Sequence, residues 1–147
     1  MITALRAGAV ALTLSLPLSA AAIEYRSVAS TAILYDAPSS EGRKVFIIAR
    51  GTPVEVLVEQ GDWIRVREPG GAITWVERGA LRQQRTLMVT SDSAVVRQAP
   101  DPGAAVVFEA ARDVVLELAS PPSGGWAEVR HQDGKRGFVR ITEVWGH

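Results

Sequence analysis

Apolar and polar residues alternate with a period of two along several short stretches of this chain. Val54-Glu55-Val56-Leu57-Val58 places Val54, Val56 and Val58 on one face, the pattern of a half-buried strand. Leu116-Glu117-Leu118 repeats it, and in Trp63 to Arg67 the residues Ile64 and Val66 point one way while Trp63, Arg65 and Arg67 point the other. Gly70-Gly71 and Asp133-Gly134 each stand between two such segments and read as two-residue hairpin signals. Gly61-Asp62 and Ser123-Gly124-Gly125 mark the turns before them. Beyond the first 22 residues no segment carries a helical period; the nearest, Ala104 to Arg112, matches the strand-like Lys44 to Ile48. The pattern predicts an all-β chain of short strands, as in a sandwich or barrel.

Comparing the chain with itself shows a duplication. At an offset of 62, Ala37-Pro38 matches Ala99-Pro100, Val45-Phe46 matches Val107-Phe108, Ala49-Arg50 matches Ala111-Arg112, and Glu55 matches Glu117. One extra residue in Pro121 to Gly125 moves the offset to 63, after which Trp63 matches Trp126, Val66-Arg67 matches Val129-Arg130, Gly71 matches Gly134 and Val76 matches Val139. Two units are expected, residues 23–81 and 86–147, joined by a linker at 82–85 that spans at most about 14 Å when extended. Units of this size are marginal alone, so the two are expected to touch.

The first 22 residues have a different character. A start bearing the single charge of Arg6 leads into an apolar or small-residue run from Ala7 to Leu18, and Ser19-Ala20-Ala21-Ala22 is an A-x-A-like exit. This is the pattern of a cleavable signal peptide, and the run is shorter than the roughly 20 residues a bilayer span needs. Residues 1–22 are therefore read as a leader, with a periplasmic product that has no membrane span after cleavage. The absence of cysteine means that packing alone must hold the fold. Without Arg6 the chain carries 15 basic and 16 acidic residues, a balance that argues against a nucleic-acid partner.

The order of these segments resembles the bacterial SH3-like domain family. In the second copy it runs Val95-Val96-Arg97-Gln98-Ala99-Pro100, Val114 to Leu118, Gly125-Trp126-Ala127-Glu128-Val129, Asp133-Gly134 and Gly137-Phe138-Val139. The first copy has Leu34-Tyr35-Asp36-Ala37-Pro38, Val54 to Val58, Asp62-Trp63-Ile64-Arg65-Val66, Gly70-Gly71 and Trp75-Val76. The resemblance implies two tandem small SH3-like β-barrels, as in exported two-domain proteins of Gram-negative bacteria. The first copy departs from the pattern where Asp62 and Thr74 replace the glycines before Trp63 and Trp75. Ile33-Leu34-Tyr35-Asp36 is similar to the Ala-Leu-Tyr-Asp-Tyr motif of eukaryotic SH3 domains, yet Arg78-Gly79-Ala80-Leu81 lacks the Pro and Tyr of a polyproline groove.

The candidate ligand-binding residues are Tyr35, Asp36, Trp63, Arg65, Trp75 and Trp126. Trp63 and Trp126 share the face of the arginines, opposite Ile64 and Val66 in one copy and Ala127 and Val129 in the other, and an aromatic on a polar face can serve as a binding platform. Tyr35 and Trp63, with Asp36 and Arg65 at the rim, would form a shallow groove in copy one; Arg97 replaces Tyr35 in copy two. Trp145 is expected to staple down the C-terminus. No enzyme is expected: the two histidines, His131 and His147, stand apart, there is no cysteine nucleophile, and no metal or cofactor motif occurs. The resemblance implies a binding module for peptidoglycan or its stem peptides. The alternative is a periplasmic interaction or scaffolding module that binds an envelope protein by its surface or by strand addition.

Overall fold

A computed structural model describes residues 21–147, so the expected leader lies outside the described residues except for Ala21 and Ala22. Seven strands form the first half: β1 (Glu24–Val28), β2 (Ala32–Tyr35), β3 (Lys44–Ile48), β4 (Pro53–Gln60), β5 (Trp63–Arg67), β6 (Ile73–Glu77) and β7 (Leu81–Arg82). Seven more form the second: β8 (Thr86–Val89), β9 (Ser93–Arg97), β10 (Val106–Ala111), β11 (Val115–Leu118), β12 (Trp126–Arg130), β13 (Arg136–Arg140) and β14 (Val144–Trp145). Each set makes one antiparallel sheet, ordered β3-β2-β6-β5-β4-β1-β7 and β10-β9-β13-β12-β11-β8-β14. Adding seven to each label of the first order gives the second. The duplication seen in the sequence is a duplication of topology.

Alternation decides which residues each sheet buries. In β5, Ile64 and Val66 are buried; in β6, Thr74 and Val76. With Val28, Leu34, Ile48 and Val54 the apolar ones make one core, while Leu87, Val89, Val96, Leu116, Val129 and Val139 centre the other. Directly opposed ion pairs, Glu55–Arg67 and Glu117–Arg130, occupy the same place in the two halves. A three-residue 3₁₀ turn precedes the last short strand of each half, at Arg78–Ala80 and Ile141–Glu143.

Two local expectations are corrected. Val58 does not share the inner face with Val54 and Val56, because a bulge between Val56 and Val58 pairs Val58 with Arg65 and leaves it 46% exposed. The two hairpins at Gly70-Gly71 and Asp133-Gly134 turn through five residues, 68–72 and 131–135, instead of two. In the first, Glu68 turns back and accepts the Gly70 and Ala72 N–H groups at 2.8 Å each, while Gly71 supplies φ +95°. The strand order of each sheet is linear, with β3 at one outer edge of the first. The extra residue of the second half falls between β11 and β12, where Ser123 and Trp126 pair as an isolated bridge.

The two halves are docked. Thr86 Oγ1 donates to the Gly51 carbonyl at 2.6 Å, and Ser27 Oγ donates to the Gln84 carbonyl at 2.7 Å. Trp145 meets the Tyr25 ring edge-on at 5.2 Å, with the Arg85 guanidinium 5.3 Å from that ring. The C-terminal tryptophan therefore staples the end of the chain onto the opposite half. Burial there raises the Tyr25 phenol pKa above its ordinary value, with Glu55 adding to the shift.

Candidate functional site

The hairpin β5–β6 builds the outer face of the first sheet. Its register sets Trp63 opposite Glu77, Arg65 opposite Trp75 and Arg67 opposite Ile73. Strand β2 joins through a single pair, Tyr35 opposite Trp75. Tyr35 sends its ring across to Trp63, edge to face at 5.3 Å and 88°, a favoured geometry for aromatic pairs. Tyr35 itself is 8% exposed, whereas Trp63 keeps more of its surface open. Tyr35 is thus a wall behind the indole and not a free rim.

Two open depressions flank this aromatic pair. One, of about 620 Å³, is lined by Trp63, Asp62, Glu77, Arg78 and the Pro38–Ser40 loop. The other, of about 350 Å³, is lined by Tyr35, Glu77, Gly79 and the Ser30–Ile33 segment. Glu77 and Gly79 line both, so the depressions adjoin as the two halves of a groove along the ends of β2, β5 and β6. Within it Arg78 is committed: it donates to Glu59 at 2.6 Å and to the Gly61 carbonyl at 2.9 Å. Hydrogen bonds from Arg78 first, and from Arg26 second, hold the Glu59 carboxyl below its ordinary pKa. The Asp62 and Glu77 carboxylates make no hydrogen bond or ion pair to another described residue, and both are exposed.

The expected site residues divide accordingly. Tyr35 and Trp63 come together, Trp63 lining the larger depression and Tyr35 the smaller, with Tyr35 as the wall behind the indole. Asp36 does not sit at its rim: it accepts the Arg43 N–H at 2.9 Å and pairs with the Arg43 guanidinium at 3.3 Å, closing its own loop. Arg65 and Trp75 lie on the same face but further along the hairpin, outside both depressions. Trp126 is 8% exposed and lies under the Arg140 guanidinium, 4.7 Å above its ring, so no open platform remains there. Arg97, standing where copy one has Tyr35, donates to the Ala104 carbonyl at 2.8 Å. Sequence reading missed Glu77: counting outward from a two-residue turn at Gly70-Gly71 sets Arg78 opposite Trp63, and only the five-residue turn 68–72 brings Glu77 there.

The two faces therefore differ in charge as well as shape. Copy two has Arg97 and Arg140 at the positions where copy one has Tyr35 and Glu77. The difference is three charges, from +2 to −1. Among the described residues no group of three or more His, Cys, Asp or Glu stands close enough to hold a metal ion. His131 pairs with Asp133 at 3.0 Å and lies 5.6 Å from the Phe108 ring.

A family model described as "Bacterial SH3 domain" matches residues 28–83 and again 90–146. Among solved structures, the chain is similar to NlpC2 from Trichomonas vaginalis, at 10% identity and TM-score 0.40, over 88% of this chain and 50% of that one. NlpC1 from the same organism gives 14% identity and TM-score 0.39 over 95% and 51%. An NlpC/P60 family protein from Bacillus cereus gives 16% and 0.38 over 84% and 56%. The chain spans about half the length of these three structures. No curated protein matches it.

Proposed function

This chain belongs to the bacterial SH3 domain family, whose members are typically binding modules, and from that premise we propose that it is a non-catalytic periplasmic protein that binds peptidoglycan through its stem peptides. The first repeat holds the ligand and the second supports it. One observation carries this reading: the same tryptophan is open beside a groove in copy one and covered by Arg140 in copy two. A groove with Trp63 on one side and backbone-rich walls, such as Gly79 and Ser30 to Ile33, on the other suits an extended peptide. The periplasmic location rests on the leader-like residues 1–22.

Co-sedimentation with purified sacculi tests the proposal. The purified protein is expected to pellet with sacculi, and Trp63→Ala to remain in the supernatant. Absence of pelleting would end the peptidoglycan reading. Release of soluble muropeptides, lost on changing one polar residue, would overturn the non-catalytic part.

The alternative of an envelope-protein partner draws support from a separate surface. Strand β3 is a sheet edge, and its Phe46 and Ile47 are 53% and 77% exposed. An exposed apolar edge can accept an added strand. Capture of one partner from solubilised envelope, abolished by Ile47→Lys and not by Trp63→Ala, would favour this second reading.

A further inference from the structure

We infer that the groove beside Trp63 takes a cationic side chain of a peptide, an ammonium or guanidinium, between the indole face and the Glu77 carboxylate. The inference rests on the reading of that groove as the ligand site and adds the chemistry it selects.

The argument comes from the second repeat. There the register pairs Trp126 with Arg140, and the guanidinium stands 4.7 Å over the ring centroid. A tryptophan at this position is thus able to take a cation on its face, in the manner of cation–π pairs. In the first repeat the same register pairs Trp63 with Glu77. The chain has a carboxylate in place of its own cation at that position, and the Trp63 ring stands perpendicular to Tyr35 instead.

Charge around the groove points the same way. Arg78, the one cation lining the larger depression, is tied to Glu59 and to the Gly61 carbonyl. The Asp62 and Glu77 carboxylates make no hydrogen bond or ion pair to another described residue. An incoming cation would find a ring face and two carboxylates; an incoming carboxylate would meet repulsion from both. Because these groups are exposed, attraction is modest and falls as salt is raised.

The probes are three short capped peptides, Ala-Lys-Ala, Ala-Arg-Ala and Ala-Lys-Ala with its lysine Nε acetylated. Each is titrated at millimolar concentration while the four indole N–H resonances of the purified protein are followed by NMR. The lysine and arginine peptides are expected to shift the Trp63 resonance saturably and leave Trp126 in place. Acetylation should remove the effect. Glu77→Gln should weaken it about three- to tenfold, and Glu77→Arg, which restores the pairing of copy two, should abolish it with the melting temperature unchanged. An equal shift with the acetylated peptide, or an undiminished one in both Glu77 variants, would overturn the inference. Sacculi whose free amines are acetylated separate it from the peptidoglycan reading. If sacculi bind through Trp63 equally well before and after acetylation, the cation preference is wrong and the cell-wall reading stands. If the lysine peptide binds at Trp63 and sacculi do not, the cation preference stands and the cell-wall reading fails.

Discussion

Truncating the equivalent tryptophans should have opposite consequences in the two repeats. Trp126 is 8% exposed and lies beneath Arg140, so Trp126→Ala removes a nearly buried indole and strips the guanidinium of its contact. Substitutions of this kind cost about 3–5 kcal/mol. Trp63 is less buried; its defined aromatic contact is the perpendicular Tyr35 ring, a pair worth about 0.5–1.5 kcal/mol beyond area burial. Trp63→Ala should therefore cost about 1–2 kcal/mol of stability. Its effect on ligand should be larger, about 2 kcal/mol or roughly 30-fold, as for other aromatic hot spots. Urea denaturation of both variants reads the stability difference, and co-sedimentation with sacculi under conditions where each is folded reads the binding difference. Equal destabilisation by the two substitutions would refute the reasoning, since Trp63 would then be structural. So would sacculus binding that survives Trp63→Ala and is lost in folded Trp126→Ala.

Three further outcomes are expected. Thr74 stands where the second repeat has Gly137, and its buried Oγ1 has no hydrogen-bond partner; Thr74→Val should raise stability by about 1–3 kcal/mol, and a lower thermal midpoint would show that the hydroxyl is bonded in solution. The Glu117 carboxyl has its pKa lowered by the Arg130 hydrogen bond, with Gln84 and Arg82 contributing. A lowered folded pKa stabilises above the unfolded value and is lost as pH falls, so the advantage of the wild type over Glu117→Gln should be full above the ordinary value of 4.5 and shrink below it in urea melts. Intact-mass measurement of periplasmic protein should find cleavage after Ala22 or one residue earlier; retention of Met1 to Ala20 would contradict the leader reading.

Local information in the chain was enough for much of this architecture. Strand alternation in Trp63 to Arg67 named Ile64 and Val66 as core because side chains in a strand alternate faces whatever the partner. The repeat could be read for a similar reason, since two copies with the same sheet order keep apolar residues at the same places. The hairpin was legible but not its register: a two-residue turn at Gly70-Gly71 would set Arg78 opposite Trp63, and the five-residue turn closed by Glu68 sets Glu77 there.

Other features depended on contacts far apart in the chain. Strand β1 pairs with both β4 and β7, partners that no local period can choose. The bulge at Leu57 turned Val58 outward against its alternation. Asp36 reads as a rim residue from its place beside Tyr35, but the fold brings Arg43 back to consume it. The sequence by itself determined that each repeat carries a tryptophan on its outer face. Tertiary structure decided which one stays open, because exposure depends on the residue across the strand: Arg140 covers Trp126 with a cation, whereas Glu77 leaves Trp63 facing the groove.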